Sequence, residues 1–126
     1  MSRARQQAFT LIELLVVLSI IATLLLIAVP RYFHSLERSK ETVLRQDLAV
    51  MRDAIDKHFS DLARYPGTLA ELVEHRYLRS IPLDPETKSK ETWVAVESED
   101  SEVPGVRDVR SGATGAASDG TAFTSW

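Results

Sequence analysis

Apolar residues fill one stretch of this chain and then thin into a stripe. From Phe9 to Val29 the sequence reads FTLIELLVVLSIIATLLLIAV, 21 residues with one charge, Glu13. As a helix rising about 1.5 Å per residue, this stretch spans roughly 31 Å, the thickness of a bilayer core. Residues 1–8, MSRARQQA, carry Arg3 and Arg5. A basic flank on that side predicts a cytoplasmic N-terminus, with the rest of the chain outside. A simple secretory signal has a shorter apolar core and a small-residue cleavage site. This run is longer and ends in Val29-Pro30-Arg31-Tyr32, with no A-x-A pattern.

Beyond Pro30 the pattern becomes amphipathic. Leu44, Leu48, Met51, Ile55, Phe59 and Leu62 recur at steps of 4, 3, 4, 4 and 3, which is one face of a helix. Arg45, Asp47, Arg52, Asp53, Asp56 and Lys57 occupy much of the remainder. The helix is predicted to stop before Tyr65-Pro66-Gly67, because proline disfavours helical geometry in the residue before it. The two halves together predict one rod from Phe9 to Leu62, roughly 80 Å long. Pro30 cannot donate to the Leu26 carbonyl, so a kink or local loosening is expected there.

Residues 63–126 are the expected cover for the stripe. Thr68-Leu69-Ala70-Glu71 is a capping-box pattern opening a short helix. Ile81-Pro82-Leu83-Asp84-Pro85 reads as an extended connector. Thr92–Val96 reads as a strand by composition, and Val106–Ser111 as a second with weaker alternation. Glu97–Glu102 is an acidic, solvated loop. The tail from Gly112 has only Phe123 and Trp126 to anchor it, and with Trp93 these are read as core fillers. A head of about 60 residues buries little alone and needs the rod's stripe. The fold class is therefore α+β: a long N-terminal helix, transmembrane and then amphipathic, packed on a small head with a short antiparallel sheet.

Composition narrows the chemistry. The formal charge of −3 on 126 residues gives no basic footprint, so no nucleic-acid partner is expected. There is no cysteine, which removes disulfides and thiol chemistry. His34, His58 and His75 show no HExxH or paired-His spacing and read as surface or packing residues. No nucleophile elbow, P-loop or dinucleotide motif occurs, so catalytic residues are not expected.

Glu13 is the anomaly. A carboxylate in an apolar helix costs about 2.5–3.5 kcal/mol at mid-bilayer, and nothing else from Phe9 to Val29 is charged. A cut between Ala8 and Phe9 would create an α-ammonium one turn away, or beside Glu13 of a neighbouring chain. Pairing across chains would act as a register device, because sliding leaves both charges buried and unpaired. The alternative is a Glu that snorkels to the headgroups or is protonated.

Ala8-Phe9-Thr10-Leu11-Ile12-Glu13-Leu14-Leu15-Val16-Val17 resembles the leader junction of type IV prepilins and type II secretion pseudopilins. That resemblance implies cleavage between Ala8 and Phe9 by a membrane peptidase, N-methylation of Phe9, and assembly guided by Glu13. The family's proline falls on Pro30. Ala8 departs from the family's usual Gly, which implies slower cleavage. Arg64-Tyr65-Pro66, Tyr77-Leu78, Ile81–Pro85 and the ending through Asp119-Gly120 to Trp126 are similar to the major pseudopilin. Major pseudopilins often bind calcium in the C-terminal loop. Here Asp119 is the one acid after Asp108, a thin set for an ion that takes six to eight oxygens, so no cofactor is expected and calcium through Asp119 is the single candidate.

The resemblance divides the chain into a cleaved leader (1–8), a transmembrane assembly half (9–30), an amphipathic half (31–62) and a periplasmic head (63–126). It implies a pseudopilus subunit of the inner membrane that is extracted into a periplasmic filament. The implied partners are its own copies, the peptidase and methyltransferase, minor pseudopilins, an inner-membrane assembly platform and lipid. Two rivals stand beside it: a type IV pilus subunit, and an uncleaved signal-anchored protein whose periplasmic head binds another partner.

Overall fold

The computed structural model describes residues 8–126; the leader arginines, Arg3 and Arg5, lie outside them. Helix α1 runs Leu11–Leu62 and α2 runs Leu69–Glu74. Strands β1 (Val94–Glu97) and β2 (Val106–Arg110) follow, and a 3-10 turn spans Phe123–Ser125. The chain divides into two units, residues 1–36 and 37–126, with α1 passing through both.

In the first unit the described apolar side chains are all exposed, from Phe9 to Leu36. Ser19 donates its hydroxyl to the Leu15 carbonyl at 2.8 Å, and Thr23 donates to the Ser19 carbonyl at 2.8 Å. These two hydroxyls are therefore satisfied along the helix itself, as an apolar surrounding demands. Helical structure continues unbroken through Pro30.

In the second unit α1 buries Leu44, Leu48, Met51, Ala54, Ile55 and His58. The expected stripe holds as far as Ile55 and then departs. Phe59 is 36% exposed and Leu62 44% exposed, while His58 is fully buried. Helix geometry explains the swap. His58 lies fourteen positions after Leu44, close to four turns at about 3.6 residues each, so it returns to the buried face one position before Phe59. Phe59 packs its ring on Tyr65 instead, at 4.6 Å between centroids.

The start of α2 departs from the capping-box expectation. Thr68 is the N-cap, but its side chain makes no capping bond. The Glu71 carboxylate accepts the Gly67 N–H at 3.1 Å. The far end is a Schellman turn. Arg76 takes φ +64°, its N–H bonds the Val73 carbonyl at 3.1 Å, and the Tyr77 N–H bonds the Leu72 carbonyl at 2.8 Å. This arrangement satisfies the last helical carbonyls.

β1 and β2 pair antiparallel, with Val94 opposite Arg110 and Val96 opposite Asp108. The register then shifts, so Glu97 faces Val106 and Arg107 is the extra residue of a bulge. Val106 and Val109 are three apart yet both are buried. Strict alternation would turn one of them out, and the bulge brings both inward. The weak alternation noted in this strand has that cause. Trp93 precedes β1, is buried, and donates its indole N–H to the Pro82 carbonyl at 2.8 Å. Phe123 is buried and Trp126 packs against the same core.

Gly112 and Gly105 each permit a close approach. A Cβ on Gly112 would run into the Thr92 carbonyl oxygen. Gly105 has φ +125°, and a Cβ there would stand 2.8 Å from the Pro66 oxygen.

Candidate functional site

Three features can bear on function: the helix start around Phe9 and Glu13, the loop that carries Asp119, and a histidine pair.

Ala8, Phe9 and Thr10 precede α1, are not helical, and are exposed, Phe9 at 80%. Thr10 is the residue that stops the helix from extending further back. Its hydroxyl oxygen accepts the Glu13 N–H at 3.1 Å, and its carbonyl accepts the Leu14 N–H at 3.1 Å. Thr10-Leu11-Ile12-Glu13 is thus a T-x-x-E helix start. Sequence reasoning assigned that signature to 68–71, where the threonine side chain does not cap, and passed over it here. The cap leaves Ala8, Phe9 and Thr10 outside the helix and exposed. The Glu13 carboxylate lies on an exposed face among apolar side chains.

The tail from Gly112 is held by more than Phe123 and Trp126. Arg52, half-buried on α1, donates Nε to Asp108 Oδ1 at 2.8 Å and Nη2 to the carbonyls of Val109 (3.0 Å) and Trp126 (2.7 Å). The Arg45 guanidinium lies 4.0 Å above the Trp126 ring and 3.4 Å from Asp119 Oδ2. Glu41 accepts both the N–H and the hydroxyl of Ser118, at 2.6 and 2.8 Å. Asp119 Oδ1 accepts the Thr121 hydroxyl at 2.6 Å and the Thr121 N–H at 3.0 Å. The Thr121 hydroxyl, the Thr121 N–H and then Arg45 hold this carboxyl below its ordinary pKa.

This donor set does not fit calcium. Asp119 is the one carboxylate of the tail, and one of its oxygens faces a guanidinium. Asp84, read as part of an extended connector, is instead fully buried. It accepts the Ser111 hydroxyl at 2.6 Å and the Glu86 N–H at 2.9 Å, which ties the connector to the end of β2.

The histidines are arranged otherwise than expected. His58 Nε2 lies 3.1 Å from His75 Nδ1 and 3.7 Å from Glu71 Oε2. Residues 17 apart in sequence meet because α2 folds back onto α1, so spacing along the chain carried no signal. Glu71 is held ionised by the Gly67 N–H, which lowers its pKa, with help from Arg64.

The comparisons with known proteins bear first on the helix start. Residues 3–29 match the family model described as the prokaryotic N-terminal methylation motif. The type II secretion system core protein G of Pseudomonas aeruginosa is 32% identical over 101 residues, covering 68% of this chain and 71% of that protein. The chain belongs to the type II secretion system core protein G family. The Klebsiella pneumoniae core protein G is 32% identical over 97 residues, 64% of this chain and 69% of its own. The type IV major pilin protein PilA of Myxococcus xanthus is 35% identical over 68 residues, but those cover 31% of that pilin. No solved structure matched. A core protein G family member with this α+β, pilin-like fold accounts for the long apolar helix and the two-stranded head together.

Proposed function

We propose that this chain is a structural subunit of a type II secretion pseudopilus and not an enzyme. One observation carries the reading: a helix long and apolar enough to cross a membrane is exposed along its apolar stretch, bears a single carboxylate, and is preceded by an open Ala8–Phe9 bond. The precursor inserts with residues 1–8 in the cytoplasm and 63–126 in the periplasm. A prepilin peptidase removes residues 1–8, and a methyltransferase modifies Phe9. The methylated amine keeps its charge and pairs with Glu13 of an adjacent copy, which fixes register. Residues 9–30 pack against other copies, the helix softens at Pro30 on extraction, and the head forms the outer shell beside minor pseudopilins and the assembly platform.

The test is the exact mass of the N-terminal peptide from native membranes. A peptide beginning at Phe9 with one added methyl group supports the proposal. A chain still beginning at Met1 or Ser2, in cells with active peptidase, supports the signal-anchored rival. Deleting the gene then separates the two filament types, since a pseudopilus subunit abolishes enzyme export and a pilus subunit abolishes surface motility.

A further inference from the structure

We infer that His58, Glu71 and His75 form a binding site for a divalent transition metal, with zinc as the best-suited ion, that clamps α2 to α1. The donor atoms are His58 Nε2, His75 Nδ1 and Glu71 Oε2, all within 4.8 Å of one another.

The tautomer of His58 follows from its partners. Its Nδ1 lies 2.8 Å from the Arg64 carbonyl oxygen. A carbonyl only accepts, so Nδ1 carries the proton and Nε2 presents a lone pair, which accepts the His75 Nδ1–H at 3.1 Å in the metal-free chain; an ion takes the place of that proton, with His75 in its other tautomer. A ligating imidazole whose other nitrogen donates to a backbone carbonyl is the usual outer-shell arrangement of a metal-bound histidine. The His58 ring is fully buried and its edge is fixed by Tyr77, 5.4 Å away between centroids. His75 is the C-cap of α2, held by the Schellman turn at Arg76. The His58 ring is therefore fixed by backbone and core, and the His75 ring lies near-parallel to it, 5.2 Å away between centroids.

The distances suit zinc. Two nitrogens bound tetrahedrally at 2.0–2.1 Å stand about 3.3 Å apart, against 3.1 Å here. The Glu71 oxygen, 3.7 Å from His58 Nε2 and within 4.8 Å of His75 Nδ1, has to swing inward to share an ion with both rings. Its partly exposed side chain allows that. His75 is exposed, so water reaches the fourth position. Imidazole and carboxylate together favour zinc over magnesium or calcium. Arg64 Nη1, 3.4 Å from Glu71 Oε2, opposes the ion, but this guanidinium is half-exposed and can turn to solvent. The site is independent of the filament reading, because all three ligands lie within residues 37–126.

The test uses the full chain in detergent micelles, titrated with zinc alone by calorimetry and with cobalt(II) followed by visible absorption. The expected result is one ion per chain, cobalt bands of a four-coordinate nitrogen and oxygen site, and a higher melting temperature with zinc. His75→Ala and Glu71→Gln each weaken zinc by about 10-fold or more, while near-UV circular dichroism without metal shows both variants folded. His34→Ala, in the other unit, binds as the parent chain does. Absence of saturable one-to-one zinc binding overturns the site. So does an affinity unchanged in the folded His75→Ala variant, or one lost in His34→Ala.

Discussion

Glu13 does two separable things. Its backbone N–H closes the helix start on Thr10, and its carboxylate stands alone among apolar side chains. Glu13→Ala keeps the N–H and so keeps the cap. It also removes a charge worth about 2.5–3.5 kcal/mol against insertion. Membrane insertion and Ala8–Phe9 cleavage should therefore be preserved while filament yield falls sharply, as read by shearing and electron microscopy. Asp47 is a second residue-scale case. Burial first, and then the neighbouring Asp84, raise its pKa. A carboxyl whose pKa is raised by the fold destabilises that fold once it is ionised. Asp47→Asn should thus raise the melting temperature at pH 7, and the gain should vanish at pH 3, where both side chains are neutral. Asp119 has the opposite sign: its lowered pKa contributes stability above the ordinary Asp value that is lost as pH falls through the folded one. An Asp119→Asn chain should lose less stability than the parent on acidification across that window.

At the scale of elements, the loop after β2 depends on two backbone conditions. Gly112→Ala pushes a methyl group into the Thr92 carbonyl, and we expect a loss of about 1–3 kcal/mol in a denaturant melt followed by tryptophan fluorescence. Arg52→Ala releases the carbonyls of Val109 and Trp126 together with Asp108, each a charge-assisted bond. The expected outcome is faster proteolytic cleavage within 112–126 while α1 stays intact. Calcium should leave the melting temperature of the parent chain unchanged, and Arg45→Ala should lower it. Elements governed by local rules were legible before the structure: the C-terminal end of α1, the position of α2, the two strands and the acidic loop. Features that need a partner from elsewhere were not. His58 looks like a polar residue between two apolar ones until the fourth turn of the helix brings it under α2. Asp84 looks like connector until Ser111 arrives 27 residues later. Val106 and Val109 look out of phase until Arg107 bulges.

At the scale of the molecule, the two units divide the work. Every buried residue of the core, from Leu44 to Phe123, belongs to residues 37–126, whereas the apolar side chains of 9–36 are all exposed. The motif around Ala8, Phe9 and Glu13 was readable from sequence because it is a contiguous string, within the residues that match the N-terminal methylation motif. The head was readable only as a class, since its identity rests on contacts between distant residues.

The uncovered helix has an energetic consequence. On the filament reading its side chains lie against lipid tails in the membrane and against other copies in the filament, so leaving the bilayer exchanges one oily neighbour for another. The hydrophobic effect gives little net drive to such an exchange. On the filament reading, growth must then be pulled by work supplied from outside the subunit. On the same reading the apolar helix makes each step nearly reversible, and the lone charge at Glu13 would decide where the step stops.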